Sequence, residues 1–146
     1  MRARIDTTTL YTSVFSLDEQ DALVWWFDGT SLLVQGEPGT ISAAGFAYIN
    51  MQVSRYDGPG NYRLAFAFDT NTVGLGFYGI LAGIPPEPVA SYQTLGENQG
   101  QLHISALDTT LGVITGTFEF AAERNDGGTG VVRVIDGSFR IRKRLT

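Results

Sequence analysis

Apolar and polar residues alternate with a period of two along most of this chain, interrupted by clusters of Gly, Asp, Asn and Pro. Successive strand residues point to opposite faces, so the pattern predicts half-buried β-strands joined by tight turns. Val113 to Ala122 is the clearest case, with Ile114, Phe118 and Phe120 on one face and Thr115, Thr117 and Glu119 on the other. Gly45 to Arg55 sets Ile49, Met51 and Val53 inward against Asn50, Gln52 and Ser54. Tyr62 to Phe68 aligns Tyr62, Leu64, Phe66 and Phe68. Gln101 to Leu107 opposes Leu102, Ile104 and Ala106 to Gln101, His103 and Ser105. Two hairpins are predicted where turn residues separate such runs: Ala22 to Phe27 with Ser31 to Gln35, and Val131 to Ile135 with Ser138 to Arg144 across Asp136-Gly137. In the second, Phe139 and Ile141 face inward and Arg140 and Arg142 outward. Val73 to Ile80 reads as a strand with Gly74, Gly76 and Gly79, which mark bending or close backbone approach.

The breaks are equally informative. Gly36 to Thr40, with Pro38, reads as a loop. Leu81 to Val89 reads as the longest irregular one, because Pro85, Pro86 and Pro88 lack the N–H a ladder needs. Ser91 to Leu95 is a short strand. The best helix signal is the capping-box pair Ser16 and Glu19 ahead of Leu23, enough for a turn or two. About nine to eleven strands with mostly hairpin-length connections imply an all-β fold, an antiparallel β-sandwich that is jelly-roll-like or a partly open barrel. Residues 1–146 form a single domain in this reading, with 1–13 as an extended N-terminal arm.

Composition supports that picture and narrows the partners. Hydrophobic residues make up 43% of the chain, enough for a core, while charged residues are only 17% and glycines number 18. The net charge of -5 repels a phosphate backbone, so a nucleic-acid partner is not expected. Arg133, Arg140, Arg142, Lys143 and Arg144 nevertheless place half of the 10 basic residues near the C-terminus. A solvated strand face with a basic tail explains them, and an anionic partner is the alternative. The absence of Cys excludes disulfides and thiolate chemistry. No apolar run approaches the roughly 18 residues of a membrane-spanning helix. The Met1-to-Asp6 start lacks the apolar stretch of a signal peptide, so a leader is expected to be either unneeded or already removed.

Candidate chemistry is sparse. The single His, His103, lies on the polar side of its strand with no local nucleophile or carboxylate to orient it, and one His without Cys does not make a zinc site. Glu119 with Glu123, and Asp18, Glu19 and Asp21, are the closest carboxylates, but neither group has the spacing signature of a hydrolase. Asp69 to Thr72 and Asn125 to Gly127 offer oxygen ligands without the EF-hand pattern, and Asx turns account for them. No phosphate-binding loop is present. No catalytic residue, metal or cofactor is expected. Trp25-Trp26 is the best recognition signal, because adjacent strand residues face opposite sides and an exposed Trp can stack on a sugar or anchor a partner. With Tyr78 and Tyr92 these form the candidate ligand platform; core packing is the competing explanation.

Leu102 to Thr110, Ile114-Thr115-Gly116-Thr117-Phe118-Glu119-Phe120-Ala121-Ala122 and Val134-Ile135-Asp136-Gly137-Ser138-Phe139 form a distinctive series. It resembles small exported Bacteroidota lipoproteins built on a domain of unknown function, whose C-terminal half carries an I-x-G-T-F-x-F-x-A strand and a T-x-G-x-F hairpin. Asp57 to Tyr62 is similar to their G-x-G-x-Y turn. The resemblance covers about residues 56 to 143 and, more loosely, Ala3 to Thr12, and it implies an extracytoplasmic β-domain, at the cell surface or secreted, tethered through a lipidated Cys that this chain does not contain. It implies no activity. The function expected is therefore noncatalytic recognition or assembly, with a surface protein, a second copy or a glycan as partner. The alternatives are a filament subunit joined by strand addition and a carbohydrate-binding module. For strand addition, the arm's Arg4, Leu10 and Tyr11 would form the assembly edge.

Overall fold

The computed structural model describes residues 1–6, 9–12, 23–27, 30–42, 45–65, 74–82, 87–96 and 99–142, with main chain alone for 9–12, 23–27, 37–42, 45–46 and 142. The strands are β1 (Arg2–Ile5), β2 (Thr9–Thr12), β3 (Leu23–Phe27), β4 (Leu32–Ser42), β5 (Gly45–Val53), β6 (Gly60–Leu64), β7 (Gly74–Ala82), β8 (Glu87–Gln93), β9 (Gly100–Asp108), β10 (Val113–Arg124) and β11 (Val131–Arg142). All pair antiparallel, in the order β11-β1-β2-β4-β5-β7-β8-β10-β9-β6, with β3 beside β4 and β11 also beside β10. The expected all-β antiparallel class is what the chain adopts. The sheet folds over on itself but is not closed into a barrel. Among the described residues β2 meets β4 only at Thr12 and Thr40, and β8 meets β10 only at Glu123 and Arg124.

The period-two pattern works because one face of each strand is buried. Ile49, Met51 and Val53 of β5, Leu102 and Ile104 of β9, Ile114 of β10 and Ile141 of β11 are completely enclosed, and Phe118, Phe120 and Phe139 pack with them. Ring centroids of Phe118 lie 6.4 Å from Phe120 and 6.2 Å from Phe139, within the range of favourable aromatic pairs.

Bulges explain where the pattern misleads. Ala106 is exposed, not inward with Leu102 and Ile104, because Ile104 pairs with Gly116 and Ala106 with Thr115, leaving Ser105 as an extra residue. Asp136-Gly137 is no hairpin turn. Strand β11 runs straight through it, and Glu119 opposes both Ile135 and Asp136. Asp136 takes a left-handed φ of 51° there, and the Phe118 ring fills the space where a Gly137 side chain would stand. The Gly36–Thr40 loop is instead part of β4. Its register shifts between Gly36 and Gly39, and Pro38 falls in the bulged stretch, where a missing N–H is tolerated. The 81–89 loop is likewise shorter than expected: Pro88 pairs opposite Leu81 across a register shift, and 83–86 lie outside the described residues. The Ser16 helix signal and Asp69 to Thr72 lie outside them too.

The N-terminal segment is not an arm. Strand β1 is flanked on both edges, by β11 and by β2, and buries Met1, Ala3 and Ile5. Its alternation of apolar and polar residues matches the inner face of the sheet, so intramolecular pairing satisfies its backbone.

One joint holds the branched sheet together. The edge of β7 away from β5 meets Ala65, then Thr94, then β8. The Ala65 N–H donates to the Gly74 carbonyl at 2.9 Å and the Thr94 N–H to the Gly76 carbonyl at 2.9 Å. The Thr94 hydroxyl accepts from the Gly76 N–H and donates to the Ala65 carbonyl, both at 3.1 Å. Thr94 itself is completely buried.

Candidate functional site: the outer polar face of the β6, β9, β10 and β11 sheet

The same alternation that sends Phe118, Phe120 and Phe139 inward turns a polar face outward on β6, β9, β10 and β11. Register aligns its side chains in rows across the strands. One row runs Asn61, His103, Thr117, Ser138 and, on β1, Arg2. The next runs Arg63, Gln101 and Glu119 toward Asp136 and Arg4. Gly100, Gly137 and the β11 bulge lie beside its depressions. Three adjoining open depressions of about 410, 370 and 450 Å³ share Glu119 as a common wall. Gln101 and His103 line the first with Thr117 and Ser138, Arg133 and Ile135 the second, and Asn61 and Arg63 the third.

Hydrogen bonding leaves much of this face available. His103 Nδ1–H donates to Asn61 Oδ1 at 2.7 Å, and Ser105 Oγ donates to the Thr115 carbonyl at 3.1 Å. Arg4 pairs with Asp136 at 2.6 Å, which pins the bulge. Among the described residues, the Glu119 carboxylate and the guanidiniums of Arg2, Arg133 and Arg140 have no ion-pair partner. The face can therefore offer amide, hydroxyl, imidazole and guanidinium groups to a ligand at once.

The aromatic candidates are placed elsewhere. Tyr78 is 3% exposed, and its phenol is pushed up to about 12 by burial first and then by Tyr92 and Asp6. Tyr92 is half-buried, its ring centroid 5.9 Å from that of Tyr78, with the Arg124 guanidinium 5.5 Å above it. The two tyrosines do come together, but as core packing under an arginine, because β7 and β8 pair them across the strands. Trp25 and Trp26 sit in β3 opposite Val34 and Leu33; their side chains lie outside the described residues. Leu10 and Tyr11 pair by main chain with Arg4 and Ala3, so Arg4 occupies an inner strand and not an edge.

Of the acidic candidates, Glu123 accepts from Gln99 Nε2 at 3.1 Å, while Asp18, Glu19 and Asp21 lie outside the described residues. Asp126 accepts from Arg124 Nε at 2.8 Å and from the N–H groups of Gly128 and Ser91 at 3.2 Å. These donors, Arg124 foremost, hold its carboxyl down at about 2. A lowered carboxyl contributes stability above its unfolded value near 3.9 and loses it as pH falls through about 2. Asp126→Asn should therefore melt below the wild type at pH 6, and the gap should shrink as pH falls through about 2. A gap that stays constant in thermal melts across that range would refute the coupling.

The polar rows were only half visible in the sequence. Outward residues on each strand followed from alternation, but which strands adjoin did not, so Asn61 and Arg63 could not be set beside Gln101 and His103. No protein-family model, curated protein or solved structure matches this chain.

Proposed function

We propose that this chain is a noncatalytic recognition domain that binds its partner across the outer face of β6, β9, β10 and β11. The observation that carries this reading is the recessed, cross-strand array of Asn61, His103, Gln101, Thr117 and Ser138 around Glu119. A rigid sheet holds these groups in fixed register, so a ligand meets them without paying to order a loop. His103 is paired with an amide, which cannot neutralise an imidazolium as the carboxylate of a proton relay does. That favours binding over general-base chemistry. An extracytoplasmic location follows from the lipoprotein resemblance and fits an exposed recognition face.

The test is binding of the full chain to immobilised neutral and acidic polysaccharides, with Gln101→Ala/His103→Ala against a control, Gln52→Ala/Ser54→Ala, exposed residues on β5 and just after it. The face variant should bind about tenfold more weakly and the control should match wild type. Equal binding by both variants, or no binding to any of the polymers, would sink this reading.

A further inference from the structure

The other half of the sheet has an outer face of different chemistry. On β4, β5, β7 and β8 the inward residues Leu32, Val34, Ile49 and Tyr78 are buried in the same core as Phe118 and Phe139 of β10 and β11. The outer faces of the two halves therefore point away from each other. Register sets Gln35, Asn50, Phe77 and Gln93 in one row across these four strands, with Tyr48 and Gly79 to one side and Leu33 and Leu75 to the other. Leu33, Tyr48, Leu75 and Phe77 are half-buried, and none of the residues in these rows is charged. The first acid met is Glu123, opposite Gln93 on β10 and held by Gln99. The Tyr48 ring fills the space where a Gly79 side chain would stand, so it lies against the sheet and leaves the face flat.

We infer that this face is an interface between two copies of this chain, paired back to back with their polar faces turned outward. Leu33, Tyr48, Leu75 and Phe77 supply an aromatic and aliphatic centre, and Gln35, Asn50 and Gln93 supply amides around it, which is the anatomy of a protein interface. Charge favours a second copy as the partner. In a two-fold pair each group meets its own copy or that of a neighbour, so a charged face repels itself. These rows are uncharged in a chain whose net charge is -5. The area agrees. From β3 to β10 the sheet is five strand spacings wide, and β5 runs for 9 residues, so the face measures roughly 24 by 30 Å, or about 700 Å². A standard interface takes about 800 Å² from each partner, so a stable but weak pair is expected. A glycan fits less well, because small-ligand sites are concave and the recess at Gly79 is already filled by Tyr48.

Sedimentation equilibrium of the full chain from about 1 to 500 μM tests this, and a monomer–dimer equilibrium in the micromolar range is the expected result. Phe77→Ala and Leu75→Lys should each weaken pairing at least about tenfold, and Thr109→Ala, in the exposed turn between β9 and β10, should leave it unchanged. Gln35→Glu keeps the shape of the side chain and adds a like charge to each copy. It should weaken pairing more at about 50 mM salt than at about 500 mM. Circular dichroism melts establish which variants fold, and Gln35→Glu keeps the test decisive if the Phe77 or Leu75 change does not. A chain that stays monomeric at every concentration overturns the inference, as does a dimer that Leu75→Lys and Gln35→Glu leave intact. Open-ended assemblies in place of a dimer overturn it too, because a two-fold pairing closes. A monomer that binds neutral dextran and loses it in Phe77→Ala would assign the face to a glycan and likewise overturn it.

Discussion

Thr94→Val should lower stability by about 2–4 kcal/mol, one of the largest losses for a change of a single group in this protein. Valine keeps the shape and removes only the hydroxyl. That hydroxyl accepts from Gly76 N–H and donates to Ala65 carbonyl inside a fully enclosed site, so both backbone groups lose a partner that water cannot replace. An orphaned buried group costs about 1–3 kcal/mol, and two are created together. The expected fall in melting midpoint is about 10 °C for a chain of this size. Thr94→Ser keeps the hydroxyl and deletes a methyl, so it should lose only about 1 kcal/mol. If valine and serine variants melt alike in urea and heat, the hydroxyl is not what holds the joint where β7 passes from Ala65 to β8.

Gly116→Ala is expected to cost about 3 kcal/mol, at the upper end for overpacking by one methyl group. A Cβ at Gly116 would collide with the His103 carbonyl oxygen and come within 2.7 Å of Phe139 Cζ. Neither can yield cheaply. The carbonyl belongs to the neighbouring strand, and Phe139 is packed against Phe118. Gly96→Ala is the control: its nearest neighbour is the flexible end of Gln99 at 3.3 Å, so the change should stay within about 0.5 kcal/mol. Equal denaturation midpoints for the two variants would refute the account of close strand approach. Because Gly116 lies between Thr115 and Thr117, a shift there also moves the rows of the polar face. The same variant should then weaken ligand binding beyond its loss of folded protein.

These two positions show why the local reading went only so far. Gly116 and Thr94 are ordinary residues in a window of ten; their importance comes from His103, Phe139, Gly76 and Ala65, which are distant in sequence or lie on other strands. The bulges behave likewise. Asp136-Gly137 has turn chemistry, and the chain instead spends it on a kink inside β11, because Val134, Phe139 and Ile141 all gain burial only if the strand continues along β10. Tyr78 has the composition of a binding residue and is packed into the core because its neighbours on β5 and β8 enclose it.

Local alternation along the chain sets the class of structure and the side of most strands that faces water. That information is local: side chains alternate at each residue, and burying the apolar set is the dominant gain in folding. Long-range packing sets which strands lie side by side, where an extra residue flips the alternation, and how the N-terminal strands complete the sheet. It also brings arginines from both ends of the chain to one face. Strand pairing joins residues more than a hundred positions apart, and no short-range pattern carries the free energy that selects those partners.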